Sequence, residues 1–427
     1  MPDDAGCTVE ILRQLLAAPE ALDEVQTLVE QTGTLAVHQV AQLRRRFSAA
    51  EVHALLAVAN ARKKAFAAKG KWEGSGVDSR RFWAVPEALE QATDVLVARH
   101  KAKRFQAAGP WNAIVDVCCG IGGDALALAA VAPVVAIDKS PVRAWMARQN
   151  LLAAAPAFPW AAVQADAGEL PIRPAGGARD GAAAARVALH IDPARRAGGQ
   201  RSAQWADLIP GPAVLNGLLR RFPNAAIKLS SAVDFDDLPP GHVEVISRRG
   251  VAVQAVLWTG ALADGFGAGS RTATVIGESG QNFSVTGPLL AVPVLRPMSQ
   301  YVFEVDAAVH RAGLAPQLAG VVQCQPINND GGYVTADAWI RHPALVGFRV
   351  LGQCGFREAE IAGILAQLPP AQTNQRGVEV KVRGAIDLNT DALQGRLQKV
   401  ARGRYTVLVY RAGQAYCAAV AARMQER

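Results

Sequence analysis

No two cysteines in the chain stand at C-x-x-C spacing, and its seven histidines form neither an H-x-H nor an H-E-x-x-H group. The usual ligand spacing of a structural zinc site is therefore missing, and no metal is expected. The low count of six cysteines (Cys7, Cys118, Cys119, Cys324, Cys354 and Cys417) suits a reducing compartment. No apolar run is both long and charge-free enough to cross a bilayer. The opening MPDDAGCTVE is acidic, where a signal peptide is basic and then apolar. A soluble, cytoplasmic protein without membrane contact is the expectation; the sequence leaves its oligomeric state open.

Acid is scarce in two places. Residues 41–110 carry 14 basic against 6 acidic side chains, and residues 371–427 carry 10 against 4. Together these stretches carry more positive charge than the formal +8 of the whole chain, and they admit a polyanionic partner. Basic side chains crowd the end of each of two expected helices. One, from about Ser48 to Gly70, opens on a Ser48/Glu51 capping box and holds Arg62, Lys63, Lys64 and Lys69. The other, from about Pro86 to Phe105, ends in Arg99, Lys101, Lys103 and Arg104. Helix-dipole pairing accounts for part of this charge and leaves the rest for a partner.

A chain of 427 residues, half of them apolar, has material for two or three domains. Apolar spacing of three and four predicts a helical domain over residues 1–108. From Trp111 strands alternate with helices: AIVDV, PVVAID, AAVQAD, RVALHIDP and AAIKLS each precede or follow a helical run. That alternation predicts an α/β core with a parallel sheet over residues 109–240. Residues 241–370 are strand-rich, and residues 371–427 read as a small αβ unit, so smaller α+β domains follow the core. The low-complexity stretch 174–185 reads as a surface loop.

Between the first strand and its helix stands DVCCGIGGD, Asp116 to Asp124. GIGGDA satisfies the dinucleotide pattern G-x-G-x-x-A at Gly120, Gly122 and Ala125, a weak match by itself. The acids are more informative. Asp116 lies four residues before the first glycine, where it would repel a pyrophosphate and attract an ammonium. Asp138 ends the second strand, where a carboxylate can bridge two ribose hydroxyls, and Lys139 follows it. Asp166, followed by Ala167, ends the third, where it can accept from an adenine amino group. Three acids at three strand ends describe a pocket for a nucleoside bearing a cationic amino acid, which is S-adenosyl-L-methionine. Cys118 belongs to the turn on which that cofactor lies. With Cys119 it reads as a buried packing residue, not a nucleophile.

Residues 111–231 resemble a class I S-adenosylmethionine-dependent methyltransferase core, with a Rossmann-like fold. DVCCGIGGD matches the first motif, VVAID the second and VQADA the third, while DPARR, Asp192 to Arg196, holds the place after the fourth strand. The whole chain is similar to a bacterial group whose C-terminal domain is THUMP-like, on DPARR, on IKLS (Ile227 to Ser230) and on VEVKVRG (Val378 to Gly384). The resemblance implies methyl transfer, with structured RNA such as tRNA or rRNA as the partner.

In amino-group methyltransferases of this class, an Asp or Asn oxygen and a proline carbonyl receive the nucleophile's NH2, and an aromatic residue stacks on the base. Here Asp192 and Pro193 remain, but Ala194 and Arg195 replace the second proline and the aromatic. Arg195 can stack through its guanidinium plane or, with Arg196, hold a phosphate. Lys228 is an active-site ammonium or the partner of Asp234 or Asp236, and Trp205 is a candidate for the lost aromatic. Lys381 and Arg383 on a strand, with Arg396, Lys399 and Arg402 on a helix, form one-sided basic stripes expected to meet RNA. Glu304, Asp306 and His310 are polar for their apolar context and are expected to tie the central region to the core. Three rivals stay open: a small-molecule or protein methyltransferase, an NAD-dependent enzyme, and a catalytically silent RNA-binding protein on a methyltransferase scaffold.

Overall fold

Helices α1 (Val9–Ala17), α2 (Pro19–Thr32), α3 (Val37–Leu43) and α4 (Ala49–Phe66) open the computed structural model, which describes residues 6–170, 172, 186–195, 203–278, 281–292, 295–369, 377–384 and 387–424. The Ser48/Glu51 capping box forms as the spacing predicts. Glu51 Oε2 accepts from the Ser48 N–H at 2.7 Å, and Ser48 Oγ accepts from the Glu51 N–H at 3.3 Å. Leu12, Val25, Val29, Val52, Leu55 and Val58 pack between α1, α2 and α4 and are fully or nearly fully buried.

The single helix expected over Pro86 to Phe105 is two. α5 (Pro86–Gln91) stops where the Lys71 ammonium donates to the carbonyls of Leu89 at 3.2 Å and Ala92 at 2.8 Å. α6 (Val95–Ala108) restarts on an Asp94 cap, whose Oδ1 accepts from the Leu96 N–H at 2.9 Å. Thr93 is left in the break.

The α/β core follows: β1 (Ala113–Val117), α7 (Gly123–Leu128), β2 (Val134–Asp138), α8 (Pro141–Ala154), β3 (Trp160–Gln164), β4 (Val187–Ile191), α9 (Pro212–Arg221) and β5 (Ala225–Leu229). The strands lie in the order β5-β4-β1-β2-β3, every pairing parallel. The order reverses at β1, and a parallel sheet opens a ligand crevice beyond the carboxyl ends of its strands at such a switch point.

The chain divides into two compact units. The first holds residues 1–229 with 233–241 and 257–264, and the second holds 230–232, 242–256 and 265–427. In the second, β6 (His242–Arg248), β7 (Val251–Trp258, its last two residues counted with the first unit), β8 (Arg271–Ile276) and β9 (Asn282–Gly287) lie in the order β9-β8-β6-β7. A further sheet takes β10 (Tyr301–Val305), β11 (Gln325–Pro326), β12 (Tyr333–Ala336), β13 (Leu345–Gly355), β14 (Gly377–Arg383), β15 (Arg404–Ala412) and β16 (Ala415–Arg423), in the order β11-β12-β10-β13-β16-β15-β14. Helices α10 (Ala307–Arg311), α11 (Ala315–Val322), α12 (Glu358–Gln367) and α13 (Thr390–Leu397) complete this unit. The tail strands thus continue the sheet of the preceding region, with Phe348 to Gly355 paired against Arg423 to Cys417. The stretch 174–185 lies outside the described residues. No helix among the described residues is long and apolar enough to cross a membrane.

Candidate functional site

β1 runs out at Val117, and the next residues turn back on themselves. Cys118, Gly120 and Gly122 take positive φ values of 57°, 56° and 88°. A left-handed non-glycine residue costs roughly 1–2 kcal/mol, so Cys118 stores strain at the start of the turn. A Cβ on Gly120 would meet no heavy atom within 4 Å, so the backbone there is bare toward a ligand. A Cβ on Gly122 would come to 3.4 Å from Ala147 on α8, which keeps that glycine for close packing. Burial, and then the charge of Asp138, pushes the Cys118 thiol up, and burial pushes Cys119 well up. Thiols held protonated in this way suit the packing role and not a nucleophile's.

The acids at the strand ends converge on this turn. Asp138 Oδ2 accepts from the Gly120 N–H at 2.9 Å, while Oδ1 accepts from the Ser140 N–H at 2.9 Å. Asp166 Oδ1 accepts from the Gly168 N–H at 2.9 Å, and Oδ2 lies 2.7 Å from Lys139 Nζ. The Lys139 hydrogen bond, then the Gly168 N–H, holds the Asp166 carboxyl below its usual range, and the same pair raises Lys139. The Lys139 side chain is exposed and that of Asp166 partly so, whereas Ala167 beside them is buried.

Asp116 lies beneath the turn, wholly buried, with His190 Nδ1 at 2.6 Å from its Oδ1. Its Oδ2 has no hydrogen-bond partner among the described residues. Burial pushes its carboxyl up, with His190 pulling against that. His190 Nε2 faces Lys101 Nζ at 3.0 Å, and Lys101 Nζ is 2.7 Å from Asp124 Oδ1. An ammonium only donates, so Nε2 accepts and the imidazole proton sits on Nδ1, facing Asp116. Burial alone would raise the Asp124 carboxyl. The charges of Lys101 and Lys228, with Lys101's hydrogen bond, outweigh it and hold the group well below the carboxylate range.

Asp192 follows β4 and Lys228 lies on β5, which places both at the carboxyl edge of the sheet. Lys228 Nζ donates to Asp192 Oδ2 at 2.6 Å and to Thr93 Oγ1 at 3.1 Å. Lys228 is thus paired with Asp192, an acid other than Asp234 and Asp236. Pro193 is buried beside it. The Arg195 backbone pairs with Leu208, while its side chain and all of Arg196 lie outside the described residues. Trp205 is 8 % exposed, which leaves little of its ring open to a base.

Several side chains here escaped sequence reasoning. Lys101 is 1 % exposed and Arg62 likewise, so neither can meet RNA as the basic helix ends suggested. Arg62 donates to the Phe82 carbonyl at 2.7 Å, and burial lowers its guanidinium to about 10. Asn150 on α8 donates to the carbonyls of Ile121 and Trp83, both at 2.9 Å, and so ties the glycine turn to the helical segment. In the second unit, Glu304 receives Lys381 at 3.0 Å and Arg383 at 2.9 Å, and Glu358 receives Arg396 at 2.8 Å. Glu304 therefore binds the tail strand to β10, and three of the five residues of the expected basic stripes are already paired. His310 pairs with Asp330 at 3.4 Å. No cluster of three metal-ligating side chains occurs among the described residues.

The chain is 33 % identical over 335 residues to an uncharacterised S-adenosylmethionine-dependent methyltransferase of Mycobacterium tuberculosis, found alike in strains H37Rv and CDC 1551. The match spans 77 % of this chain and 84 % of the relative. The chain belongs to the S-adenosylmethionine-dependent methyltransferase family. A crystal structure of a putative methyltransferase from Porphyromonas gingivalis W83 superposes with a TM-score of 0.71, over 95 % of this chain and 98 % of that one, at 16 % identity. That likeness carries the fold: a class I Rossmann-like methyltransferase. No protein-family model matches. The cofactor of this methyltransferase is S-adenosylmethionine, and the bare Gly120 backbone between the acids of β1, β2 and β3 fits it.

Proposed function

We propose that this methyltransferase modifies an exocyclic amino group of a base in structured RNA, with Asp192 as the group that receives the amine. The observation carrying this reading is the position of Asp192. It stands one residue past β4 at the switch edge, about one-third exposed, its carboxylate held by Lys228 at 2.6 Å. The bound cofactor supplies an electrophilic methyl group on a sulfonium. Asp192 accepts a hydrogen bond from the amine, so that its charge opposes the positive charge growing on nitrogen. Asp138 and Asp166 hold the ribose and adenine ends, and the turn at Gly120 lets the cofactor lie against backbone. Neither cysteine near the site is activated, which argues against carbon-5 methylation of a pyrimidine through a thiolate. The THUMP-like resemblance of the tail points to RNA.

Mass spectrometry of nucleosides from cells with and without the gene tests the whole reading. Loss of one N-methylated base is expected. Loss of a 5-methylpyrimidine, of a ribose-methylated nucleoside, or of no nucleoside overturns it. Cofactor binding is tested separately by calorimetry. Asp138→Ala is expected to weaken S-adenosylmethionine by about 1.5–3 kcal/mol, the range for hydrogen bonds to a charged group. Unchanged affinity removes Asp138 from the site.

For RNA contact, Lys399 and Arg402 are the side chains to change, because both are exposed while Lys381 and Arg383 hold Glu304. Filter binding over a salt series is expected to show a steep loss. Lys399→Glu and Arg402→Glu each lower the slope by about one if they meet phosphate. A flat response removes this face.

A further inference from the structure

Thr93 stands in the break between α5 and α6, remote in sequence from every methyltransferase motif, yet it sits between two charged groups of the site. Its Oγ1 lies 3.1 Å from Lys228 Nζ and 2.7 Å from Asp124 Oδ2. The donor order is forced. The ammonium can only donate, so Oγ1 accepts from Lys228; Asp124 is a carboxylate, so the hydroxyl proton goes to it. Asp124 is kept ionised by Lys101, whose ammonium reaches back to His190 and through it to Asp116. A run of donor–acceptor pairs therefore joins Asp192 on β4's end to Asp116 on β1 through residues 93, 101, 124, 190 and 228.

Two more features fix Thr93. It is 6 % exposed, so water does not readily replace its hydroxyl. Its backbone lies on the glycine turn, where a Cβ on Gly123 would come to 3.3 Å from the Thr93 carbonyl oxygen. A lysine's four-carbon stem is flexible, and its ammonium keeps one place only if something holds it there.

We propose that Thr93 is a positioning residue for methyl transfer: it holds the Lys228 ammonium against Asp192 Oδ2, and so sets the plane in which the carboxylate meets the amino nucleophile. This rests on the role given to Asp192 above. Pinned through Oδ2, the carboxylate turns its other oxygen to the substrate in one orientation. Released, it rotates and the approach geometry is lost. The plain alternative is a buried threonine that only satisfies its neighbours, which costs stability when removed and leaves turnover alone.

The test compares Thr93→Val, which keeps the shape, with Thr93→Ser, which keeps the hydroxyl. Transfer of labelled methyl from S-adenosylmethionine to total RNA from cells lacking the gene gives kcat and KM. Thr93→Val is expected to lower kcat roughly 10- to 100-fold, as misplacement of reacting groups does, with KM and cofactor affinity unchanged. Thr93→Ser restores it. Lys228→Met shows a comparable loss, and the Thr93→Val/Lys228→Met pair is no worse than Lys228→Met alone, because one residue acts through the other. Wild-type kcat in Thr93→Val, or two losses that multiply, overturns the proposal. If the wild-type enzyme labels no RNA, the RNA reading fails, and nitrogen-15 NMR of the lysine ammonium groups decides the hold alone. The Lys228 signal, assigned by its absence in Lys228→Arg, is expected to be visible in the wild type and lost to exchange in Thr93→Val. A signal unmoved by Thr93→Val sinks the proposal whatever the substrate.

Discussion

Lys101→Met is expected to destabilise the first unit by about 3–5 kcal/mol, the usual result of removing one partner of a buried ion pair. The change leaves Asp124 and His190 facing an apolar side chain where an ammonium stood 2.7 Å and 3.0 Å away. Urea unfolding followed by tryptophan fluorescence measures it. The double change Lys101→Met/Asp124→Asn is expected to recover a substantial part of the loss, because no charge is then left unpaired. If the single variant unfolds at the wild-type midpoint, Lys101 is not the counterion of that cluster. The pH response has a definite sign. Asp124 is held well below its unfolded value, so its contribution is present above the ordinary carboxylate pKa, about 3.9, and is lost as pH falls below it. Asp116 is raised, so its contribution runs the other way and is largest in acid. Asp124→Asn should therefore flatten the acid side of the stability curve.

Asp192→Ala is expected to lower kcat roughly 100- to 10,000-fold, the range for a positioned proton-handling group, while cofactor affinity stays within the error of calorimetry. The interaction removed grows only as the nitrogen becomes cationic, so it belongs to the transition state and not to cofactor binding. Asp192→Asn keeps an acceptor oxygen without the charge, and it should fall between wild type and alanine. Equal rates in all three proteins would dismiss Asp192 from the chemistry. A matched loss of cofactor affinity would reassign it to the binding pocket.

Local signals were legible in the sequence. Ser48 and Glu51 cap a helix because their spacing alone determines that contact, and the strand–turn–helix around Gly120 follows from glycines placed between two apolar runs. The acids at the strand ends could be read because each needs only its own strand to position it. Lys101 could not. Its spacing on α6 matches Arg99 and Lys103, which are exposed, and nothing within the helix reveals that His190 lies opposite, 89 residues on. Glu304 shows the same limit from the other side. An acid in an apolar run signals a partner, but the partners, Lys381 and Arg383, are 77 and 79 residues away, and their own strand spacing points to an open basic face. The helix break at Ala92 to Asp94 was masked by apolar spacing that continues across it. Only the Lys71 ammonium and the Asp94 cap, contributions from either side, make the two helices distinct.

The break also changes what counts as the smallest working piece of this enzyme. A cut just before Trp111, where the composition suggests a boundary, would retain every sequence motif of a methyltransferase. It would also remove the hydroxyl that Lys228 leans on, the only ammonium paired to Asp124 at 2.7 Å among the described residues, and the Trp83 carbonyl to which Asn150 anchors the glycine turn. A fragment so trimmed would leave the Asp124 carboxylate without the ammonium and the hydroxyl that hold it. The helical segment and the core therefore share one unit not only by packing but through the groups that neutralise the core's buried charge.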